Sequence, residues 1–247
     1  MRKKIFFAFL FIGMLSVLLT AGEKKFETEI IKTDAGPLKI TFIGHGTLMF
    51  TFNKMTIHVD PFSRIADYTK LPKADLVLVT HHHGDHLDTG ALEKIRTGKT
   101  NVILTKKCSE KVKGGIIMAN GDTKTVNGLK IEAVPAYNIV HKRGDGGPFH
   151  PKREGNGYVI TFGNKRVYVA GDTENTPEMK NLENIDAAFL PMNLPYTMTP
   201  EMVVDAVKAF KPKILYPYHF AFGTTDLKKL ETLMKDVKEV ELRIRYK

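Results

Sequence analysis

Residues 75–80, DLVLVT, form a short unbroken apolar run that ends directly in THHHGDHLD at 80–88. A run of that length reads as a buried strand, and 88–95 carries a helix start with Asp88 or Thr89 as N-cap. A histidine-rich turn is therefore fixed at the end of a core strand. In extended or tightly turning backbone, residues two apart point the same way, so His81 and His83 can converge on one point while His82 faces elsewhere. Gly84 is expected to let the chain turn sharply and bring Asp85 and His86 toward a second point. Histidine is not a favoured turn former. Imidazole and carboxylate groups at this density suit zinc, and also iron or manganese.

Two distant segments have matching chemistry. YVAGDT at 168–173 places Asp172 just past an apolar run and a glycine, where its two oxygens can bridge two cations. YPYHF at 216–220 places His219 past another strand end. Alone, the first reads as a turn or helix cap and the second as a structural histidine. Beside the turn at 81–86 they read as ligands, because groups at strand ends can meet along one edge of a sheet.

The rest of the chain alternates in the same manner. Strands are expected over 38–43, 48–52 and 55–59, separated by turn signals at 44–46 and 53–54. Further strands are expected over 101–104, 128–134, 157–162, 166–170, 185–190, 213–216 and 241–245, with helices over 106–113, 200–210 and 225–235. The early strands come as hairpins, so two layered sheets covered by helices fit this α/β chain better than one parallel sheet. Residues 135–156 hold four glycines and three prolines with little apolar periodicity. A loop that long inside a compact domain is usually functional.

Residues 1–22 are a separate object: Arg2, Lys3 and Lys4 precede an uncharged apolar run that ends in Thr20, Ala21 and Gly22. That pattern is expected of a secretory signal peptide, or of an uncleaved anchor, since about 18 apolar residues can just cross a bilayer; both give an exported protein, periplasmic or secreted, with no stable membrane insertion if the signal is removed. Residues 23–37 read as a polar lead-in and 38–247 as a single domain. Loss of the three basic residues takes the formal charge from +10 to +7, which favours an anionic partner. No lysine and arginine block is dense enough for a nucleic-acid stripe. Cys108 is the only cysteine, so no internal disulfide forms, and it reads as a half-buried small side chain.

The arrangement His81-x-His83-x-Asp85-His86, followed by Gly171-Asp172 and then His219, resembles the signature of the metallo-β-lactamase fold superfamily. Ile43-Gly44-His45-Gly46 and His58-Val59-Asp60-Pro61 are similar to segments of its lactonase-like and N-acyl phosphatidylethanolamine phospholipase D branch. The resemblance covers about 38–220 and implies a four-layer αββα sandwich. It also implies one or two divalent cations, zinc first, with manganese or iron(II) as alternatives. His81 and His83 would hold one cation, and Asp85, His86 and His219 the other, with Asp172 between them. Asp85, His45 and Asp60 are the implied catalytic groups, the last two lining or bracing the site. Many members supply a further histidine where this chain has Asn138. Asn138, His141 and His150 can each fill that place; His150 is the preferred ligand, with Asn138 a polar contact.

The expected activity is hydrolysis of an ester, lactone or phosphodiester by metal-activated water, on a small-molecule or lipid-like, anionic substrate. Tyr137, Tyr196 and Lys142 are loop groups that could touch it. The competing expectation is an extracytoplasmic metal-binding protein without turnover, whose site would be closed.

Overall fold

The computed structural model describes residues 25–220 and 225–245. Two seven-stranded mixed sheets carry the fold, each following chain order. The first contains β1 (Glu27–Thr33), β2 (Gly36–Gly44), β3 (Thr47–Phe52), β4 (Met55–Val59), β5 (Leu76–Leu78), β6 (Asn101–Leu104) and β7 (Ile116–Ile117). The second contains β8 (Thr123–Val126), β9 (Leu129–Ala136), β10 (Gly155–Phe162), β11 (Lys165–Val169), β12 (Ala187–Pro191), β13 (Ile214–Tyr218) and β14 (Glu241–Leu242). In both, the first four strands pair antiparallel and the last three add in parallel.

Side-chain alternation builds the layers. Leu38, Ile40, Phe42, Leu76, Leu78 and Ile103 meet Ile131, Tyr158, Ile160, Phe162 and Phe189 in one core between the sheets. Their neighbours Ile43, Val77, Val79, Val102 and Leu104 point the other way, onto α1 (Thr89–Ile95). On the opposite outer face, Val159, Tyr168, Ala188, Leu190 and Leu215 pack beneath α3 (Pro200–Phe210) and α4 (Leu227–Met234). The order helix, sheet, sheet, helix is the four-layer sandwich that the resemblance implied. Asp88 caps α1 by accepting from the Ala91 N–H, and α3 occupies the expected 200–210. A short α2 (Pro177–Lys180), capped by Thr176, follows the Asp172 segment.

Several expectations need correction. The polar lead-in at 23–37 is in part β1, which pairs through seven residues with β2. Only Ile31 of that strand is buried, so backbone pairing rather than an apolar face holds it. The helix expected at 106–113 shortens to one 3₁₀ turn at Cys108–Glu110. Its only buried side chains, Cys108 and Val112, stand one turn apart and give a longer helix nothing to pack. Cys108 is fully buried, not half-buried. Strands β7 and β8 fall between the helix expected at 106–113 and the strand expected at 128–134, where no element was assigned. The proposed signal peptide at 1–22 lies outside the described residues. Among the described residues, no helix is long and apolar enough to cross a membrane.

Candidate metal centre

Apart from His141 and His150, which come from the loop between β9 and β10, the ligand candidates sit at or near a strand end on one edge of the sandwich. β4 runs into Asp60, β5 into His81–His86, β11 into Asp172 and β13 into His219. The β2–β3 turn supplies His45. His45, Asp60 and His219 all adopt left-handed backbone, with φ of 50°, 46° and 48°. The chain does turn at Gly84, with the His86 and Leu87 N–H groups bonded to the His83 carbonyl, but its ordinary φ and the open space where a Cβ would lie mean that this turn does not require glycine. Gly46 is the constrained one: a Cβ there would come within 2.8 Å of both the His219 and His86 rings.

The side chains form two adjoining groups, within each of which the potential ligand atoms lie no more than 4.8 Å apart. One is His81, His83 and His150; the other is His45, Asp85, His86 and His219. Asp172 spans them. Its Oδ1 lies 3.4 Å from Nε2 of both His86 and His219, while its Oδ2 lies 3.3 Å from His150 Nε2 and 3.9 Å from His81 Nε2. Asp172 is buried and Oδ1 has no hydrogen-bond partner, which leaves a charge in want of a cation.

The ring tautomers follow from hydrogen bonds behind the site. Asp60 is fully buried; its Oδ1 accepts the Thr80 N–H at 2.8 Å, and its Oδ2 accepts from Thr80 Oγ at 2.6 Å and His86 Nδ1 at 2.7 Å. His86 therefore turns Nε2 toward His219 Nε2, 2.9 Å away. With its proton given to Asp60, Thr80 Oγ can only accept from His81 Nδ1, at 3.0 Å, so the His81 Nε2 lone pair also faces inward. Asp60 thus orients one imidazole in each group. It has no access to substrate and acts as a positioning residue, the bracing role that was one of the two expected of it. His45 Nε2 lies 2.9 Å from Asp85 Oδ2.

Burial, then the nearby charge of His86, holds His81 well below the usual histidine range; burial, followed by His150, pushes His83 down to about 4. Both are neutral and able to ligate. Burial opposes charge on His86, but Asp172 and Asp60 outweigh it and raise its pKa. Burial likewise opposes ionisation of Asp85 and Asp172. Bonds from His219 and His45 lower the first, and the charges of His219 and His86 lower the second. The field favours positive charge, as proton or cation. Imidazole nitrogens, carboxylate oxygens and one orphaned oxygen are a donor set that fits divalent metal ions.

Of the three candidates for the remaining ligand, the fold brings His150 to His81 and His83. His141 is turned away, with Nδ1 bonded to Glu174 at 2.7 Å. Asn138 lies behind His150 and accepts from its ring at 2.8 Å. Tyr137 is buried and donates to Glu178, and Lys142 is exposed, its backbone bridged to Pro148; neither lines the centre. Tyr196 does, together with His83, Asp85, Arg143, Phe149, His150, Asp172, Asn193 and His219, around a cavity of about 390 Å³. A second cavity of about 670 Å³ meets the first at Asp85 and is lined by His45, Phe62, Ser63, Arg64, Gly84 and Asp88. Thr80, Glu174, Arg64 and Arg143 were not anticipated. The place of Thr80 beside His81, and of Glu174 two residues after Asp172, was the only signal for the first two.

Comparison with known proteins agrees with this geometry. The beta-lactamase superfamily domain matches residues 39–219. A UPF0173 metal-dependent hydrolase of Pelotomaculum thermopropionicum is 33% identical over 200 residues, covering 74% of this chain and 84% of the relative. A crystal structure from Parabacteroides distasonis, of a protein assigned as a metal-dependent hydrolase, is 48% identical with a TM-score of 0.84, covering 90% of this chain and 99% of that one. Igni18, a metallo hydrolase from Ignicoccus hospitalis, is 27% identical with a TM-score of 0.68, covering 84% and 94%.

Proposed function

This chain belongs to the beta-lactamase superfamily and, within it, to the UPF0173 metal-dependent hydrolases. From that premise we propose that it hydrolyses an ester, lactone or phosphodiester bond in a small anionic substrate, using one or two divalent cations, zinc first among them. The observation that carries the reading is Asp172, whose two oxygens face two separate imidazole groups. His81, His83 and His150 would hold one cation and Asp85, His86 and His219 another, with Asp172 shared. Cations bound there supply Lewis-acid activation, lowering the pKa of water from about 16 toward 7 and withdrawing charge from a substrate oxygen.

The chain's own groups do the rest. Asp85 is a carboxylate with a side chain 36% exposed at the junction of the two cavities, placed to orient an attacking water by accepting its hydrogen bond. His45, 25% exposed, donates from Nε2 to Asp85 Oδ2 at 2.9 Å and holds that carboxylate in place. Each cavity carries an arginine and a phenylalanine, Arg143 with Phe149 and Arg64 with Phe62. They suit a substrate with an anionic group and a flat or apolar portion beside the scissile bond. An open cavity over both groups favours turnover over metal storage, which would close the site. Residues 1–22 support the further proposal that the protein acts outside the cytoplasm.

The test is a panel of phosphodiester, phosphonate-ester, lactone and thioester substrates, run on chelated protein and on protein reloaded with zinc, manganese or iron(II). Reloaded protein should hydrolyse at least one class and chelated protein none. Arg143→Gln should raise KM for anionic substrates about fivefold, the equivalent of about 1 kcal/mol, with neutral analogues little affected. Fully loaded protein inert toward every class would favour metal binding without turnover.

A further inference from the structure

Asn138 lies behind His150, and its amide has every hydrogen-bonding capacity assigned. Oδ1 accepts from the His150 backbone N–H at 2.8 Å and from His150 Nδ1 at 2.8 Å. Nδ2 donates to Glu174 Oε1 at 3.1 Å and to the Tyr196 carbonyl at 2.9 Å. A backbone N–H can only donate, and a carbonyl or carboxylate oxygen can only accept. The orientation of the amide is thereby fixed. His150 Nδ1 then has one possible role, donation to Oδ1, which leaves its lone pair on Nε2. That atom faces Asp172 Oδ2 at 3.3 Å, beside His81 and His83.

Glu174 holds the amide in turn. It is fully buried and collects the N–H groups of Ile139 and Val140 on Oε2, each at 2.6 Å, and the His141 N–H and ring on Oε1, each at 2.7 Å. Its own N–H donates to the Tyr137 carbonyl at 3.0 Å, and Tyr137 N–H donates to Thr173 Oγ at 3.1 Å. Residues 137–141 and 172–174 are thus joined along their length, so the loop carrying His150 is registered against the segment carrying Asp172. Rotation of the Asn138 amide would set its NH₂ against two donors and its oxygen against two acceptors, three of the four bonds being buried, which the desolvated setting penalises.

We propose that Asn138 and Glu174 are positioning residues that lock His150 in the Nδ1–H tautomer and register it against Asp172. The proposal rests on the metal reading above for its consequence, but the tautomer itself can be read without metal.

Two measurements test it. Long-range ¹H–¹⁵N NMR on metal-free protein should show His150 protonated at Nδ1 in the wild type and losing that preference in Asn138→Ala. Zinc or cobalt(II) titration against a competing chelator should show Asn138→Ala weakening the cation held by His81, His83 and His150 by 10- to 100-fold, the other site keeping its affinity. Glu174→Gln should weaken the same cation by a smaller factor. His150→Ala should weaken it more than Asn138→Ala while leaving an affinity the titration can measure, and the double variant should bind no more weakly than His150→Ala alone, because Asn138 acts through that ring. Should Asn138→Ala not fold, Asn138→Ser enters the same cycle. Additive losses in the double variant, equal weakening of both sites, or an Nε2–H tautomer in the wild type would overturn the proposal. Wild-type protein with the expected tautomer but no uptake of cation would instead refute the metal reading and leave the positioning geometry standing.

Discussion

Substituting Asp60 by asparagine tests how the buried groups behind the centre control the ligands in front of it. In the wild type, Oδ1 accepts from the Thr80 N–H and Oδ2 from both Thr80 Oγ and His86 Nδ1. Asparagine has one oxygen for these two positions. If it faces the Thr80 N–H, its NH₂ meets His86 Nδ1 and Thr80 Oγ, and the freed Thr80 proton is donated to His81 Nδ1. Both imidazoles then carry their proton on Nε2, the atom that would ligate. The opposite orientation preserves the ligating tautomers but strands the buried Thr80 N–H against an NH₂, at about 1–3 kcal/mol. Metal-free Asp60→Asn should adopt the first arrangement, and loading must then pay for the second. At about 1.4 kcal/mol per tenfold, the loss in zinc affinity is about 5- to 150-fold, shared between the two groups because His81 belongs to one and His86 to the other. Chelator-competition titration measures it, and ¹⁵N shifts of His81 and His86 report the tautomers. Affinity within twofold of wild type, in a folded variant, would refute the reasoning.

Two further outcomes are expected. Gly46→Ala places a Cβ 2.8 Å from the rings of His86 and His219; the variant should fold at a cost of about 1–3 kcal/mol but lose at least tenfold in affinity at the Asp85, His86 and His219 site, while unchanged titration curves would show that the rings yield freely. His58, fully buried with Nδ1 unpartnered, is pushed down to about 4 by burial, against a weaker opposing bond to the Pro72 carbonyl. The unfolded chain takes up that proton near pH 6.5 and the folded chain only near 4, so stability present above pH 6.5 is lost as pH falls to about 4, by about 3 kcal/mol. Urea unfolding of metal-free wild type and His58→Phe at pH 7 and pH 4 should show the variant lacking that share of the decline, and equal declines would contradict it.

The sequence was most informative where a side chain's burial and its chemistry coincide. Val77 and Val79 alternate with Leu76 and Leu78 across β5, and the histidines that follow are too many for an ordinary turn, so strand and ligands were read together. β1 was missed because its register depends on backbone pairing with β2, and Ile30 on it is 62% exposed. The third imidazole of the His81 group stayed open for another reason. Asn138, His141 and His150 share one loop, and the choice among them is made by Glu174, which draws in His141 and holds Asn138. No local pattern in the loop records that distant carboxylate. Gly84 looked like the hinge of the turn, yet the steric demand falls on Gly46, which only the packed rings reveal.

The left-handed backbone at His45, Asp60 and His219 has a consequence for how such a chain drifts over generations. Each costs about 1–2 kcal/mol relative to ordinary geometry, against a total stability of about 5–15 kcal/mol for a typical domain, and glycine would adopt the same turns without that cost. A lineage freed from its substrate, or a laboratory library sorted for heat tolerance alone, would gain by exchanging partly exposed His45 for glycine, whereas Asp60 satisfies three buried donors and would be kept for stability. The partner of Asp85 would be lost while every strand stayed in place, so retention of His45 by a descendant is a sign of continuing selection for chemistry.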